Sequence, residues 1–136
     1  MLYIMRHGRT DWNVRHKLQG RTDIPLNDEG RMMAVEAGKR YVDIHFDVCY
    51  SSPLERAKET AEILLEGRNI PLYEDQRIQE ISFGSYEGMS CVDKTKEENL
   101  AFQKFFQDTG KYMPPEYAES VEQRYERTGE FLKSLE

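Results

Sequence analysis

The sequence predicts an α/β fold, because short apolar runs alternate along the chain with segments that have helical periodicity. Residues that cap helices stand at the starts of several of these segments. Basic and polar residues directly follow two apolar runs, which is typical of strands that end at a ligand site. With 136 residues and no repeat or Gly/Ser linker, the chain is expected to form one domain over residues 1–136.

The first part of the chain contains two predicted strands and one predicted helix. Leu2 to Met5 is an apolar run that stops abruptly, which indicates a buried strand ending in a loop. Asn27 can cap a helix from about Asp28 to Val42, because its side chain can accept a hydrogen bond from the first turn. Phe46 to Ser51 is the second strand.

Residues 52–55 predict the start of a second helix. They combine a Ser52 cap, a proline at the first helical position and a glutamate three residues after the cap. This helix is expected to end near Gly67, since glycine readily adopts the conformation that terminates helices. Ile70 to Glu74 follows as a third, shorter strand, and a loop with Gly84 and Gly88 comes next.

Two more helices are predicted in the last third of the chain. The first runs from Asp93 or Thr95 to about Asp108. Ser120, with Gln123 three residues later, predicts a capping box at the start of the second. The side chains expected to face inward are Ala101, Phe102, Phe105 and Phe106 in the first helix, and Val121, Tyr125, Thr128, Leu132 and Leu135 in the second.

The charge distribution favours a small anionic ligand over a nucleic acid. The net charge is −6, yet residues 1–21 hold five basic residues against one acidic residue, and such a local cationic region suits a small anion. No apolar stretch reaches the roughly 18 residues of a bilayer span. Arg6 and His7 interrupt the amino-terminal apolar run before a signal-peptide core could form. We therefore expect a cytoplasmic protein, with Cys49 and Cys91 as reduced thiols.

Residues 5–13 combine side chains that are suited to phosphate chemistry. The imidazole of His7 can act as a nucleophile towards phosphorus. The guanidiniums of Arg6 and Arg9 can bind phosphate oxygens through paired hydrogen bonds, and Gly8 allows the backbone to approach a ligand closely. By spacing alone, a capped strand end with exposed basic residues is an equally good interpretation.

A series of motifs extends this segment along nearly the whole chain. They are Arg6-His7-Gly8 with Thr10, Trp12 and Asn13; Leu18-Gln19-Gly20 with Asp23; Pro25-Leu26; Glu29-Gly30; Tyr50-Ser51-Ser52-Pro53-Leu54 with Arg56-Ala57 and Thr60-Ala61; Glu80 with Phe83-Gly84; Glu87-Gly88; and Glu119-Ser120. In residue types and order, the series resembles the histidine phosphatase superfamily, in its phosphoglycerate mutase-like branch.

The resemblance implies a covalent phosphohistidine mechanism that uses no metal and no other cofactor. His7 matches the histidine that attacks phosphorus in line in that family. Arg6 and Arg56 also count as catalytic, because they would stabilise the charge that develops on the phosphoryl oxygens. The residues that match phosphate or substrate contacts are Arg6, Asn13, Gln19, Gly20 and Arg56.

Glu80 matches the proton donor of the family, because it stands three residues before the Phe83-Gly84 pair. Glu87 is a weaker candidate, whose alternative interpretation is a structural turn residue. Arg9 and Arg21 could add positive potential, although a solvated surface role fits Arg21 equally well. Ordinary surface or packing roles are expected for His16, His45 and Trp12.

The family fold has three layers, α/β/α, with a mostly parallel central sheet, and the resemblance implies that this chain is its amino-terminal part. The second histidine of the family, on a later strand at the centre of the sheet, has no match before Glu136. The fold is therefore expected to be incomplete, with the remainder absent or supplied by a neighbouring copy. We expect weak or absent turnover from these 136 residues alone, because one phosphate ligand is missing.

The favoured function is hydrolysis of a small phosphorylated metabolite through phospho-His7. Only about 30 residues separate Gly88 from Glu119, and so short a segment favours access of water to the phosphoenzyme. The alternatives are phosphoglycerate mutase-type phosphoryl transfer and a non-catalytic phospho-ligand binder. The expected partner is the small phosphorylated substrate, with no nucleic acid and no membrane. A homodimer is compatible with the sequence but not specified by it.

Overall fold

Helices and a short parallel sheet form the chain, which confirms the predicted α/β class. The structure is a computed structural model that describes all of residues 1–136. Short 3₁₀ turns lie at Gln76–Ile78, Gly84–Tyr86 and Thr109–Lys111. The helices are α1 (Asp11–Val14), α2 (Asp28–Arg40), α3 (Glu55–Leu64), α4 (Glu97–Gln107) and α5 (Val121–Lys133), and the strands are β1 (Cys49–Ser51) and β2 (Leu72–Glu74).

The chain divides into two units, and each unit is made from two stretches of sequence. The first unit contains Met1–Asp11 and Asp23–Gln79. The second unit contains Trp12–Thr22 and Glu80–Glu136. Each unit buries apolar side chains, which include Leu26, Ala34, Leu54 and Leu65 in the first and Leu18, Ile81, Phe83 and Phe102 in the second.

In the first unit, β1 and β2 are parallel neighbours joined through α3. Tyr50 of β1 pairs with Tyr73 of β2, and both strands begin later than predicted, since the ladder joins only three residue pairs. A parallel pair needs such a crossover connection, which α3 supplies. Helix α2 packs closely on α3: a Cβ atom at Gly38 would lie 3.0 Å from the carbonyl oxygen of Leu64.

Two predicted helix starts are confirmed. The Asn27 Oδ1 accepts a hydrogen bond from the Gly30 amide at 2.8 Å at the start of α2. At the start of α5, the Gln123 amide donates to the Ser120 hydroxyl at 3.2 Å, and the Ser120 amide donates to the Gln123 Oε1 at 2.9 Å. Both starts are encoded within four consecutive residues, which makes them readable from local sequence.

The predicted Ser52 cap of α3 is wrong. Helix α3 begins at Glu55, and its N-cap position is Leu54, whose side chain accepts no hydrogen bond. The Ser52 hydroxyl instead accepts the Leu54 amide at 3.2 Å. The Asp23 Oδ1 accepts the Glu55 amide at 2.8 Å, so a carboxylate from a distant segment satisfies the first turn. A negative charge is also stabilised at this positive end of a helix.

The predicted strand Leu2–Met5 is not formed. Its side chains are between 50% and 88% exposed, and no strand pairs with this segment. A strand is stable only when a neighbouring backbone satisfies its N–H and C=O groups. The apolar run therefore has the composition of a strand, but in this structure it lacks a partner.

Aromatic side chains dominate the core of the second unit. The rings of Phe83 and Phe102 meet edge to face with their centroids 5.2 Å apart, and Phe105 meets Tyr112 at the same distance. Such edge contacts are favourable beyond the area that they bury. The predicted inward position of Phe106 is wrong, because this last ring of α4 is largely exposed.

The predicted apolar stripe of α5 is wrong for most of its length. Phe131 is the residue that α5 buries, whereas Tyr125, Leu132 and Leu135 are exposed. Neighbouring residues on a helix differ by about 100° in direction. Leu132, which the prediction placed inward, therefore points about 100° away from Phe131, the residue that packs against the core.

Candidate active site

The main chain beside His7 is tied to the first turns of α3. The Gly8 amide donates a hydrogen bond to the Thr60 hydroxyl at 2.9 Å. That hydroxyl donates in turn to the Arg56 carbonyl at 2.6 Å. Two consecutive hydrogen bonds therefore connect the backbone after the histidine to the backbone of Arg56.

The imidazole of His7 is oriented by its own loop. Its Nδ1 lies 2.6 Å from the Gly8 carbonyl oxygen. A carbonyl can only accept, so the hydrogen bond requires the proton on Nδ1 and leaves the lone pair of a neutral ring on Nε2. The half-buried ring is thus held in the tautomer whose proton lies on Nδ1.

Close backbone contacts fix the loop against the start of α2. A Cβ atom at Gly8 would lie 2.5 Å from the Gly30 carbonyl oxygen, and one at Gly30 would lie 2.1 Å from the Arg9 carbonyl oxygen. The Asn27 amide also donates to the Arg9 carbonyl at 3.0 Å. Because real Cβ atoms do not approach so closely, both positions require glycine.

Arg56 supplies a fixed positive charge inside the first unit. It lies in the first turn of α3, just after β1, and only 2% of its surface is exposed. A guanidinium stays protonated even when it is buried, and its planar fork suits a tetrahedral anion. The helix end that carries it is positioned by the Asp23 hydrogen bond to Glu55 described above.

The other two arginines of the motif lie at the surface of the first unit. Arg6 is exposed. Arg9 forms an ion pair with Glu29 at 2.6 Å, and both side chains are about half exposed. Arg9 therefore has a surface partner of its own, so its positive potential is partly neutralised.

In the second unit, the Glu87 carboxylate organises the turn that contains Gly20. It accepts hydrogen bonds from the amides of Arg21 and Thr22 at 2.9 Å, from the Phe83 amide at 3.0 Å, and from the Thr22 hydroxyl. Gly20 has a φ of +53°, and a Cβ there would lie 2.2 Å from the Glu87 Oε1. A carboxylate with so many donors has the features of a structural anchor, which favours Glu80 as the proton donor.

Glu80 lies next to the turn of Gln19 and Gly20 within the second unit. Its carbonyl oxygen accepts a hydrogen bond from Arg21 Nε at 3.2 Å, directly after that turn. Its side chain is exposed, and one carboxylate oxygen accepts the Ile81 amide at 2.9 Å. Gln19 and Gly20 are both buried.

The remaining residues singled out from the sequence have local roles. Asn13 is half-buried on α1. The Trp12 ring packs at Gly88, where a Cβ would lie 3.2 Å from it, and Lys17 Nζ lies 5.6 Å from the ring centroid. These contacts support the packing role expected for Trp12. His16 and His45 are exposed.

Each unit thus carries part of the residue set predicted from the sequence. Arg6, His7 and Arg56 belong to the first unit, and Asn13, Gln19, Gly20 and Glu80 belong to the second. Sequence reasoning missed the roles of Thr60 and Asp23, although both lie inside the matched motifs. It also missed Arg127, which donates a hydrogen bond to the Glu80 carbonyl at 3.3 Å and belongs to none of the motifs.

The structure contains neither a metal-binding cluster nor a helix that could span a membrane. No group of three or more His, Cys, Asp or Glu side chains lies close enough together to hold a metal ion. None of the helices has the length and apolar composition needed to cross a membrane.

A sequence profile of the histidine phosphatase superfamily (branch 1) matches residues 2–136. The chain belongs to this superfamily.

Two curated proteins are similar in sequence to part of the chain. The uncharacterized phosphatase PhoE of Bacillus subtilis (strain 168) is 45% identical over 93 residues, which cover 68% of this chain and 48% of PhoE. The probable phosphoglycerate mutase GpmB of Salmonella choleraesuis (strain SC-B67) is 34% identical over 97 residues, which cover 71% of this chain and 45% of GpmB. The chain therefore spans about half the length of these curated relatives.

Among solved structures, Bacillus stearothermophilus YhfR superposes on this chain with a TM-score of 0.86 and 38% sequence identity. The superposition covers 96% of this chain and 64% of YhfR. Relatives named as a phosphatase and as a probable mutase are thus both present, and the fold they share does not separate hydrolysis from phosphoryl transfer.

Proposed function

We propose that the complete gene product is a phosphomonoesterase that hydrolyses a small phosphorylated metabolite, with His7 as the phosphoryl acceptor. The observation that carries this proposal is the hydrogen-bonded connection from Gly8 through Thr60 to the turn of α3 that begins at Arg56. This connection holds the loop that carries His7 against α3, the helix that carries the buried Arg56. The hydrogen bond of His7 Nδ1 supports Nε2 as the atom that attacks phosphorus.

In the first step, His7 Nε2 attacks phosphorus and the ester P–O bond breaks in line. Glu80, in its protonated form, gives its proton to the leaving oxygen, so the alcohol departs neutral. General acid catalysis of this kind contributes roughly 10² to 10⁴ in rate. In the second step, Glu80 accepts a proton from water, the water oxygen attacks the phosphohistidine, and the N–P bond breaks to release phosphate.

The charge on the phosphoryl oxygens has to be stabilised during both steps. Arg6, Asn13 and Arg56 take this role, with Gln19 and Gly20 as substrate contacts. Donors already in place before the reaction stabilise developing charge without reorganisation, and removing one typically costs about 10² to 10³ in rate. We therefore expect Arg56→Lys to lower kcat/KM for p-nitrophenyl phosphate by about 10²-fold, because lysine lacks the planar fork.

Trapping the covalent intermediate tests the proposal directly. The complete gene product is mixed with a ³²P-labelled phosphate ester and quenched in alkali, in which phosphohistidine survives, and a parallel sample is treated with acid, in which it is lost. We expect an acid-labile label that is absent in His7→Ala. His45→Ala is the matched control, because His45 is exposed and lies outside the motifs, and it should label like the unaltered protein. Labelling of His7→Ala would refute the assignment.

Phosphoryl transfer between hydroxyls of one substrate is the second candidate, because GpmB carries the name of a probable phosphoglycerate mutase. Incubation with a phosphoglycerate separates the two candidates. Hydrolysis releases inorganic phosphate in proportion to substrate consumed, whereas mutase activity produces the isomeric phosphoglycerate with little free phosphate. A protein that binds phosphate but forms no covalent intermediate would instead be a phospho-ligand binder.

A further inference from the structure

The backbone of Glu80 is held by two guanidinium groups of the second unit. Its carbonyl oxygen accepts hydrogen bonds from Arg21 Nε at 3.2 Å and from Arg127 Nη2 at 3.3 Å. A carbonyl has two lone pairs, so it can accept both bonds at once. Arg127 lies on α5, 47 positions away in sequence, and no motif had marked it.

A single carboxylate, that of Glu119, holds both arginines in place. Arg127 binds it through two parallel hydrogen bonds, Nε to Oε1 and Nη2 to Oε2, the latter at 2.7 Å. Arg21 Nη2 lies 3.3 Å from Oε2. The backbone of Glu119 adds a further link, since its amide donates to the Ser82 carbonyl at 2.9 Å.

Arg127 is the more constrained of the two arginines. Its side chain is 15% exposed, compared with 38% for Arg21, and only Arg127 forms the paired contact with Glu119. Burial by itself would raise the pKa of Glu119, but the hydrogen bonds and charge of Arg127, with the charge of Arg21, outweigh burial and lower the pKa. The carboxylate that anchors the guanidiniums is therefore ionised at neutral pH.

The side chain of Glu80 has no comparable support. It is exposed, and its carboxylate accepts a hydrogen bond from the adjacent amide of Ile81, which belongs to the same loop. The direction in which the carboxylate points is consequently set by the backbone to which it is attached. Loss of the bonds to the Glu80 carbonyl would widen the range of orientations that the carboxylate samples, which lowers the efficiency of proton transfer.

We propose that Arg127 is a positioning residue for the proton donor, acting through the main-chain carbonyl of Glu80 and held in place by Glu119. This inference rests on the proposed role of Glu80 as the general acid. Arg127 contacts no reacting atom. Its effect is exerted on the orientation of the donor and therefore depends on how much the leaving group needs a proton.

Two esters with different leaving groups separate a positioning role from a structural one. The p-nitrophenolate of p-nitrophenyl phosphate departs without a proton, whereas the alkoxide of glycerol phosphate requires one. In the complete gene product, we expect Arg127→Gln to lower kcat/KM, which reports the step that cleaves the ester, by about tenfold or more for glycerol phosphate and by less than about threefold for p-nitrophenyl phosphate. Arg124→Gln, a change of an exposed arginine on the same helix, should alter neither.

Two further variants keep the test decisive. Arg127→Lys retains a positive charge beside the buried Glu119 but lacks the planar fork, so it preserves the fold if Arg127→Gln does not. It should show the same selective loss on glycerol phosphate. In the double variant Glu80→Gln/Arg127→Gln, the loss should equal that of Glu80→Gln alone, since a positioning residue has no effect once the donor is removed.

Each contrary result has a separate meaning. An equal fall in kcat/KM on both esters in folded Arg127→Lys would show that Arg127 does not act through the proton donor, which overturns the inference and leaves the proposed function intact. If Glu80→Gln lowers kcat/KM no more for glycerol phosphate than for p-nitrophenyl phosphate, Glu80 is not the donor. The inference then fails together with that assignment, while the role of His7 is decided by the trapping experiment.

Discussion

Replacing Thr60 with valine should destabilise the first unit by removing the acceptor of the Gly8 amide. The Thr60 hydroxyl accepts this amide at 2.9 Å in a buried position, and valine has nearly the same shape without the hydroxyl. A buried N–H group left without a partner costs about 1 to 3 kcal/mol. Burying a methyl group in place of the hydroxyl returns up to about 0.8 kcal/mol. These two terms allow a fall of about 0.2 to 3 kcal/mol in the free energy of unfolding, and we expect a value near the middle of that range, about 1 to 2 kcal/mol.

Thr128 offers a matched control on α5. Its hydroxyl donates to the Arg124 carbonyl four residues earlier, as the Thr60 hydroxyl does to the Arg56 carbonyl, but it accepts no amide. Thr128→Val thus makes the same chemical change within a helix, at a less buried position, and it should shift stability by no more than about 0.5 kcal/mol. Burial of the new methyl group favours Thr60→Val, so a larger loss of stability in Thr60→Val than in Thr128→Val is attributable to the Gly8 amide.

Urea unfolding followed by circular dichroism measures both variants. The slope of free energy against urea concentration should stay constant, so that a shift in midpoint reports a change in stability. The Gly8 carbonyl also orients His7, since it accepts the hydrogen bond from Nδ1. Greater mobility of Gly8 in Thr60→Val should therefore misorient the imidazole and slow formation of the proposed phosphoenzyme by about tenfold. If Thr60→Val were no less stable than Thr128→Val, the connection from the loop to α3 would carry no measurable energy and the reasoning would be wrong.

Three other changes test separate contacts. Glu87→Gln should lower the free energy of unfolding by at least about 2 kcal/mol in urea titrations, because an amide cannot accept all the donors that the carboxylate binds. Gly30→Ala should prevent stable folding, as its Cβ would meet the Arg9 carbonyl, and a circular dichroism spectrum like that of the unaltered protein would contradict this expectation. The Tyr112 hydroxyl is buried without a partner, so Tyr112→Phe should leave stability at pH 7 unchanged or raise it by about 1 kcal/mol. Burial, and to a smaller extent Tyr86, raises the pKa of Tyr112 to about 12 from an ordinary 10. The unfolded chain therefore loses the Tyr112 proton at lower pH than the folded chain, and the free energy of unfolding should fall between pH 10 and 12. Urea titrations across this range should show a smaller fall in Tyr112→Phe.

Local signals in the sequence predicted local structure well. The caps formed by Asn27 and Ser120 were readable because donor and acceptor lie within four residues of each other. The start of α3 was placed wrongly because its first amide is bound by Asp23, 32 positions earlier. No pattern within residues 52–55 contains that information.

The predicted strands show the same limit more strongly. Composition identified Leu2–Met5 as strand-like, but a strand also needs a partner, and pairing depends on segments far away in sequence. β1 and β2 contain only the three residue pairs whose backbones are hydrogen-bonded to each other, although longer strands were predicted. The extent of a strand is therefore a property of the sheet and not of the segment.

For the candidate site, the sequence predicted the chemical groups but not the contacts that hold them. Residues 6–8 predicted a candidate nucleophile beside a cation, because the imidazole of His7 and the guanidinium of Arg6 are themselves the groups on which the prediction depends. The hydroxyl of Thr60 and the guanidinium of Arg127 act on the backbone of other residues, 52 and 47 positions away. A hydrogen bond from a side chain to a distant main-chain atom produces no periodic pattern or local motif in the sequence, so it could not be predicted.

The carboxylate of Glu87 has a consequence for the order of folding. It binds the amides of Arg21 and Thr22 across 66 and 65 positions of sequence, so this turn cannot be completed before a long loop has closed. These two amides should gain protection from hydrogen exchange only when residues 83–87 have reached their native place. Their exchange rates would therefore report, residue by residue, how often the second unit opens in the native state.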